Sequence, residues 1–281
     1  MFKPLAIASL MSDYGIKPKK GLGQNFLIDE NYLAKITEIA GVDKHTDILE
    51  IGAGIGNLTR HLADAGRQVT AVELDKQLIP ILKKITREFD NVHIVEGDIL
   101  EIPVSELVTS SGYVVAANIP YYITSVLIRY LLENDPKPRA IVLTIQREVA
   151  QRVCAKAGDL SLLALSVQVY GSPKIAARIP AGAFYPAPKV DSAVLVIDLY
   201  DQPLIAADLH DTFFMLAKAA FSQKRKMMHN ALAGALGLNK EEVDELLSSV
   251  DIDPQRRAQT ISIEEWDRLI KAYQAFLVRN K

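Results

Sequence analysis

The sequence predicts an α/β fold, a mostly parallel sheet with crossover helices, followed by a small C-terminal all-helical domain. Up to about residue 200, short β-rich runs alternate with amphipathic helical stretches, the pattern of repeated βαβ units. Beyond Asp201 the β-branched runs stop and four helical stretches follow. A glycine-rich turn directly after the first strand of the series belongs at the carboxyl edge of such a sheet. Strands are predicted at 47–51, 68–73, 92–96, 113–117 and 140–146, with helices between them such as 58–65 and 76–89. Further strands at 162–170, 174–179 and 193–199 are expected to close the sheet, the Pro/Gly-rich turn 181–189 lying between the last two. Helices are predicted around 209–221, 227–236, 240–250 and 263–278. The domains therefore run 1–200 and 201–281, divided at Asp201–Gln202–Pro203, since proline cannot continue a central strand.

Composition narrows the function classes. With 49% apolar residues the 281-residue chain can bury a core, but apolar runs such as 114–117 and 141–143 are far too short to span a bilayer. The mildly apolar stretch 5–11 lacks the basic region and cleavage pattern of a signal peptide, so a cytoplasmic protein is expected, with no membrane partner. Cys154 is the one cysteine, and His45, His61, His93, His210 and His229 show no ligand spacing, so no metal is expected. Lys and Arg total 32 against 34 Asp and Glu, a net charge of −2. Any contact with nucleic acid must then use local patches. Two are candidates: Lys17, Lys19 and Lys20 in the leader, and 212–239, which carries Lys218, Lys224, Arg225 and Lys226 without an acidic residue.

After the first strand, Glu50–Ile51–Gly52–Ala53–Gly54–Ile55–Gly56 makes a glycine-rich turn into a helix, where glycine lets the backbone take positive φ and approach a ligand. Glu73 ends the second strand, the place from which a carboxylate accepts hydrogen bonds from both hydroxyls of a ribose. A dinucleotide enzyme would need glycine where Asn57 stands, so the G-x-G-x-G form favours adenosylmethionine. Asp98, ending the third strand, could bond an adenine amino group, although Gly97–Asp98 also reads as a turn.

Asn118–Ile119–Pro120–Tyr121 ends the fourth strand. The Asn118 side-chain oxygen and the Ile119 carbonyl could take the protons of an amine such as adenine's exocyclic nitrogen, localising a lone pair otherwise delocalised into the ring. Tyr121 offers a face for the base or for a cation. Phe184, in the loop Phe184–Tyr185–Pro186–Ala187–Pro188–Lys189, is expected to stack on a base taken out of its helix, with packing in the core as the alternative.

Together these residues resemble the bacterial small-subunit ribosomal RNA adenine dimethyltransferases, from about Lys17 to the C-terminus. Four motifs carry the resemblance: Gly23–Gln24–Asn25–Phe26–Leu27, the glycine loop with Glu73, Asn118 through Thr124, and Phe184 through Ser192. It implies a Rossmann-like S-adenosylmethionine methyltransferase sheet and an enzyme that dimethylates two adjacent adenines near the 3′ end of 16S rRNA, late in small-subunit biogenesis. It further implies that Asn25 and Leu27 contact the cofactor's methionine end, Gly52 the turn beneath it, Glu73 the ribose and Asp98 the adenine. Asn118 then touches both cofactor and target amine, with Tyr121 and Phe184 completing the catalytic set. From the residues alone, Gln24–Asn25 read only as a polar helix cap. The small ribosomal subunit is the implied partner of a monomer, with Arg147, Lys189, Lys224, Arg225 and Lys226 as RNA contacts and 201–281 as the RNA- and ribosome-binding domain. Tyr122–Ile123–Thr124 and Asp191 look like the small-subunit branch. A resistance-type methylase of large-subunit RNA, a non-catalytic assembly factor and a small-molecule methyltransferase are the competing readings.

Overall fold

A computed structural model describes residues 2–109, 111–223 and 225–279. In chain order its strands are β1 (Phe26–Leu27), β2 (Asp47–Ile51), β3 (Gln68–Glu73), β4 (Val92–Glu96), β5 (Val114–Asn118), β6 (Ala140–Gln146), β7 (Gly171–Ile179), β8 (Phe184–Tyr185) and β9 (Ser192–Leu199). Seven of them form one sheet in the order β4-β3-β2-β5-β6-β9-β7, while β1 and β8 pair separately. The links from β4 through to β6 are parallel, and β9 runs antiparallel to β6. Central strands covered on both faces read as unbroken apolar runs, and Val114 to Ala117 of β5 are fully buried. The edge strand β4 holds half-buried and exposed positions and no fully buried one.

The helices of the sheet region are α1 (Ile7–Asp13), α2 (Glu30–Ala40), α3 (Asn57–Ala65), α4 (Ile79–Thr86), α5 (Val104–Leu107), α6 (Thr124–Glu133) and α7 (Arg147–Val153). Asp29 starts α2 by accepting the Asn31 N–H at 2.9 Å, satisfying one of the unpaired donors of the first turn. The leader before β1 is ordered by burial. Ile7 and Met11 of α1 pack with Phe26, Ile55, Leu78 and Ile81, and Arg60 donates to the Lys3 carbonyl at 2.9 Å beneath the Phe2 ring.

Register decides where the functional groups meet. Ile51 pairs with Val72 and Ala117, Glu73 with Glu96, and Asn118 with Thr144, so β2, β3, β4 and β5 end along one edge. The chain winds outward through β3 and β4 and then returns to place β5 on the other side of β2. That reversal opens a crevice at the carboxyl ends of the strands, where ligands bind in open α/β sheets.

The chain divides into two compact units, 1–151 with 172–199, and 152–171 with 200–281. The second contains α8 (Leu162–Gln168), α9 (His210–Ser222), α10 (Met228–Leu236), α11 (Lys240–Ser248) and α12 (Ile263–Arg279), with Phe213, Leu216, Leu232, Leu247, Trp266 and Leu269 buried. Residues 162–170, expected as a strand, form α8 instead. A leucine- and valine-rich run of this length suits either state; here the Ser161 hydroxyl settles it by accepting the Ala164 N–H at 3.1 Å as a helix cap. The other predicted strands and helices stand within a few residues of their expected bounds. Among the described residues no helix is long and apolar enough to cross a membrane, and no group of His, Cys, Asp and Glu is arranged to hold a metal ion.

Ser161→Ala should lower the free energy of unfolding by about 1 kcal/mol, measured by urea denaturation. A serine in a strand would show no such loss.

Candidate functional site

The crevice is an open cleft lined from the first unit alone by 22–27, the glycine turn, Glu73, Gly97, Asp98, the segment 118–123 and Phe184. The mix of apolar walls with a few polar groups suits a cofactor. All eight residues expected to bind cofactor or substrate there line it: Asn25, Leu27, Gly52, Glu73, Asp98, Asn118, Tyr121 and Phe184.

Two glycines make the floor. Gly52 and Gly54 have φ of 72° and 60°, the left-handed region that side chains disfavour. A Cβ on Gly54 would stand 3.1 Å from the Phe26 ring. Glu73 fastens this turn: one carboxylate oxygen accepts the Gly54 N–H at 2.6 Å, the other the Asp75 N–H at 2.8 Å. Burial pushes the Glu73 carboxyl up, and those two backbone donors oppose it. Each carboxylate oxygen can accept a second bond, so both remain able to receive a hydroxyl. Asp98 is half-buried, one oxygen taking the Leu100 N–H at 3.0 Å.

At the other wall, the Asn118 side-chain N–H donates to the Asn25 carbonyl at 3.0 Å. This leaves its Oδ1 able to accept a hydrogen bond from a donor in the cleft. Asn25 in turn donates from its side chain to the Gly23 carbonyl at 3.0 Å. Gln24 and Asn25 cap no helix: they lead into β1, and Asp29 caps α2. The Leu27 carbonyl accepts the Asn57 side-chain N–H at 2.6 Å. The Tyr121 hydroxyl bonds Ser192 Oγ at 2.9 Å, and burial keeps the phenol raised above its ordinary pKa. Phe184, expected on a stiff loop, lies in β8 opposite Leu27 and is 4% exposed. It packs with Leu27 and Leu33 while one part of it faces the cleft.

Of the basic candidates, Arg147, Lys189, Arg225 and Lys226 stand outside this lining. Arg147 opens α7, its N–H donating to the Asp191 carbonyl at 3.1 Å and its guanidinium 3.9 Å from the Asp191 carboxylate. Lys189 is exposed in the loop before β9, and Arg225 and Lys226 are exposed in the second unit between α9 and α10. Lys224 lies outside the described residues.

Glu50 and Asp75 were not anticipated. Glu50 lines the cleft at 1% exposure, and its Oε2 has no hydrogen-bond partner among the described residues. Burial pushes its pKa up to about 8, and the nearby Glu73 adds to the rise; the Thr59 hydroxyl opposes it from a position short of good hydrogen-bond geometry. An acidic residue inside the apolar run Asp47–Ile51 was the available signal. Asp75 sits 4% exposed just past Glu73.

A carboxyl whose pKa rises on folding binds its proton more tightly in the native state. Its stabilisation is complete below the ordinary value of 4.5 and is lost as pH climbs to about 8. Glu50→Gln should therefore gain on the wild type across that window, by up to about 1.4 kcal/mol per pH unit, in urea unfolding at pH 5, 6.5 and 8. A constant difference across the three would place Glu50 in contact with water.

Comparison with known proteins agrees with this architecture. The family of ribosomal RNA adenine dimethylases matches residues 15–275. A protein of Dehalococcoides mccartyi strain CBDB1 named ribosomal RNA small subunit methyltransferase A is 42% identical over 265 residues, covering 94% of this chain and 91% of its own. One of the same name from Clostridioides difficile strain 630 is 40% identical over 270 residues, covering 94% and 93%. Among solved structures, a dimethyladenosine transferase from Plasmodium falciparum superposes with a TM-score of 0.77 at 25% identity, covering 89% of this chain and 98% of its own. The 23S rRNA methyltransferase ErmE does so at 0.71 and 26%, covering 89% and 100%. The chain belongs to the ribosomal RNA adenine dimethylase family.

Proposed function

We propose that the chain uses S-adenosylmethionine to dimethylate the N6 amino groups of two adjacent adenines near the 3′ end of 16S rRNA, late in small-subunit biogenesis. The observation that carries this reading is the Asn118–Asn25 hydrogen bond, which joins the wall that would hold the methionine end of the cofactor to the residue that would receive the amine. The small-subunit target is favoured because relatives near 40% identity bear that name, against 26% for the 23S enzyme.

The cleft fits the cofactor on its own chemistry. Glycines keep its floor free of side chains, Glu73 presents two oxygens to a ribose, and the buried, unpartnered Glu50 Oε2 and Asn57 Oδ1 leave polar capacity in its lining. Asn25 and Leu27 would hold the methionine end, Gly52 the turn beneath, Glu73 the ribose and Asp98 the adenine. Bound there, S-adenosylmethionine supplies an electrophilic methyl group on a positively charged sulfur, so no strong base is required of the protein.

What the chain supplies is placement. Asn118 Oδ1 and the Ile119 carbonyl would accept the two protons of the target amine, turning its lone pair toward the methyl; such positioning is worth up to about 7–11 kcal/mol. Pro120 fixes the backbone that presents the Ile119 carbonyl. Tyr121, held by Ser192, and Phe184, held by β1, would supply ring faces for the extruded base. Arg147, Lys189, Lys224, Arg225 and Lys226 would meet the phosphate backbone, with 201–281 as the RNA- and ribosome-binding domain. The protein would work as a cytoplasmic monomer.

The test is transfer of labelled methyl to unmethylated small subunits, large-subunit RNA and adenosine in parallel, with nucleoside analysis of the product. N6,N6-dimethyladenosine on small subunits alone is expected; label on large-subunit RNA would move the target, and no label would overturn the enzyme reading. Asn118→Ala should abolish transfer yet keep cofactor affinity within about tenfold, because its interaction with the amine is made mainly on the way to the transition state. Phe184→Leu keeps the apolar packing and removes the flat face. It should lower kcat/KM for RNA by about five- to a hundredfold, the equivalent of one stacked base, with the melting temperature little changed.

A further inference from the structure

Asp75 makes more hydrogen bonds than a loop carboxylate needs, and they reach two separate parts of the cleft. Oδ1 accepts the Lys19 ammonium at 2.8 Å and the Gln77 N–H at 3.1 Å; Oδ2 accepts the Gln24 side-chain amide at 2.9 Å. Its own N–H donates to Glu73 Oε1 at 2.8 Å. Burial works to raise the Asp75 carboxyl, but the bonds from Lys19, Gln24 and Gln77 hold it below the ordinary range. It is thus a charged clasp.

The segment it grips is tied within itself. The Lys19 N–H donates to Gln24 Oε1 at 2.7 Å, and the Lys19 carbonyl takes N–H bonds from Leu22 and Gln24. Asn25 follows immediately, its side chain on the Gly23 carbonyl and its carbonyl receiving Asn118. Leu22 through Leu27 form one wall of the cleft. A continuous chain of hydrogen bonds therefore runs from Glu73 through Asp75 to Gln24, and covalently through Asn25 to Asn118.

We propose that Asp75 is a positioning residue that holds the 19–25 loop against the cleft and so sets Glu73 and Asn118 relative to one another. The inference rests on the reading that this cleft binds S-adenosylmethionine and uses Asn118 on the amine. Charge-assisted bonds to a buried carboxylate are the strong ones, and the two donors that the loop sends to it, from Lys19 and Gln24, make the loop's position depend on it. Lys19, with 40% of its side chain exposed, is the charged end of this clasp.

The test uses the full-length chain. Asp75→Ala should weaken S-adenosylmethionine binding about ten- to a hundredfold by calorimetry and speed amide hydrogen exchange at 19–25 in the protein without cofactor. It should also lower kcat at saturating cofactor, because Asn118 loses the fixed Asn25 carbonyl. Lys19→Met, at a half-exposed position, should give a smaller loss of the same kind and add nothing in an Asp75→Asn background. Unchanged cofactor affinity and 19–25 exchange in Lys19→Met and Asp75→Asn, with only a lower melting temperature, would overturn the inference and leave Asp75 a stabiliser of its own turn. Additive losses in the double variant would overturn the clasp as well. Failure of the wild type to bind S-adenosylmethionine would remove the functional reading itself, and the inference with it.

Discussion

One buried carboxylate ties the cleft together. Glu73 ends β3 and accepts a backbone N–H on each oxygen, one from the glycine turn after β2 and one from the turn after β3. Left unpaired in that position it would cost several kcal/mol of desolvation; paired, it holds two turns from different strands at a fixed separation. The glycine turn cannot relax away from it, because Phe26 closes on Gly54 from above and Ile55 is packed under α1 and α4. The same group that would read a ribose is thus the group that shapes the floor.

Across the cleft the logic is different. Asn118 is held by another chain segment through a single hydrogen bond to the Asn25 carbonyl, and that segment is placed by β1 pairing with β8. Phe184 comes from β8 and Tyr121 is tied to Ser192 at the start of β9, so the groups that would handle the base all lean on contacts remote in sequence. The parallel sheet sets strand ends, and the small β1–β8 pair draws Asn25 and Phe184 to them.

The frame was legible because its signals are local. Buried parallel strands announce themselves as apolar runs, and the positions ending them, Glu73, Asp98 and Asn118, follow from topology. Helix 162–168 was misread because leucine, valine and alanine pack equally well in either state, and the deciding feature was one serine cap. Glu50 could have been found as an acid inside an apolar strand. The Asp75 clasp could not: Lys19 and Gln24 lie 56 and 51 residues away, and nothing local to any of the three marks the others. For Phe184 the sequence left stacking at the cleft and packing in the core as alternatives, and the structure buries it opposite Leu27 in the β1–β8 pair while it still lines the cleft.

That pair also bears on biosynthesis. A chain leaves the ribosome from its N-terminus, and domains fold as their parts become available. Phe26 and Leu27 have to wait for Tyr185 and Phe184 before they gain their strand partners, a closure over a long loop that is slow to form. Until residue 185 has emerged, the nascent chain can assemble β2 through β6 and the glycine turn but lacks the partner that seats the Asn25 wall. A chain truncated before β8 would carry the ends of β2, β3, β4 and β5 and still lack Phe184 in the cleft lining and the strand partners of Phe26 and Leu27.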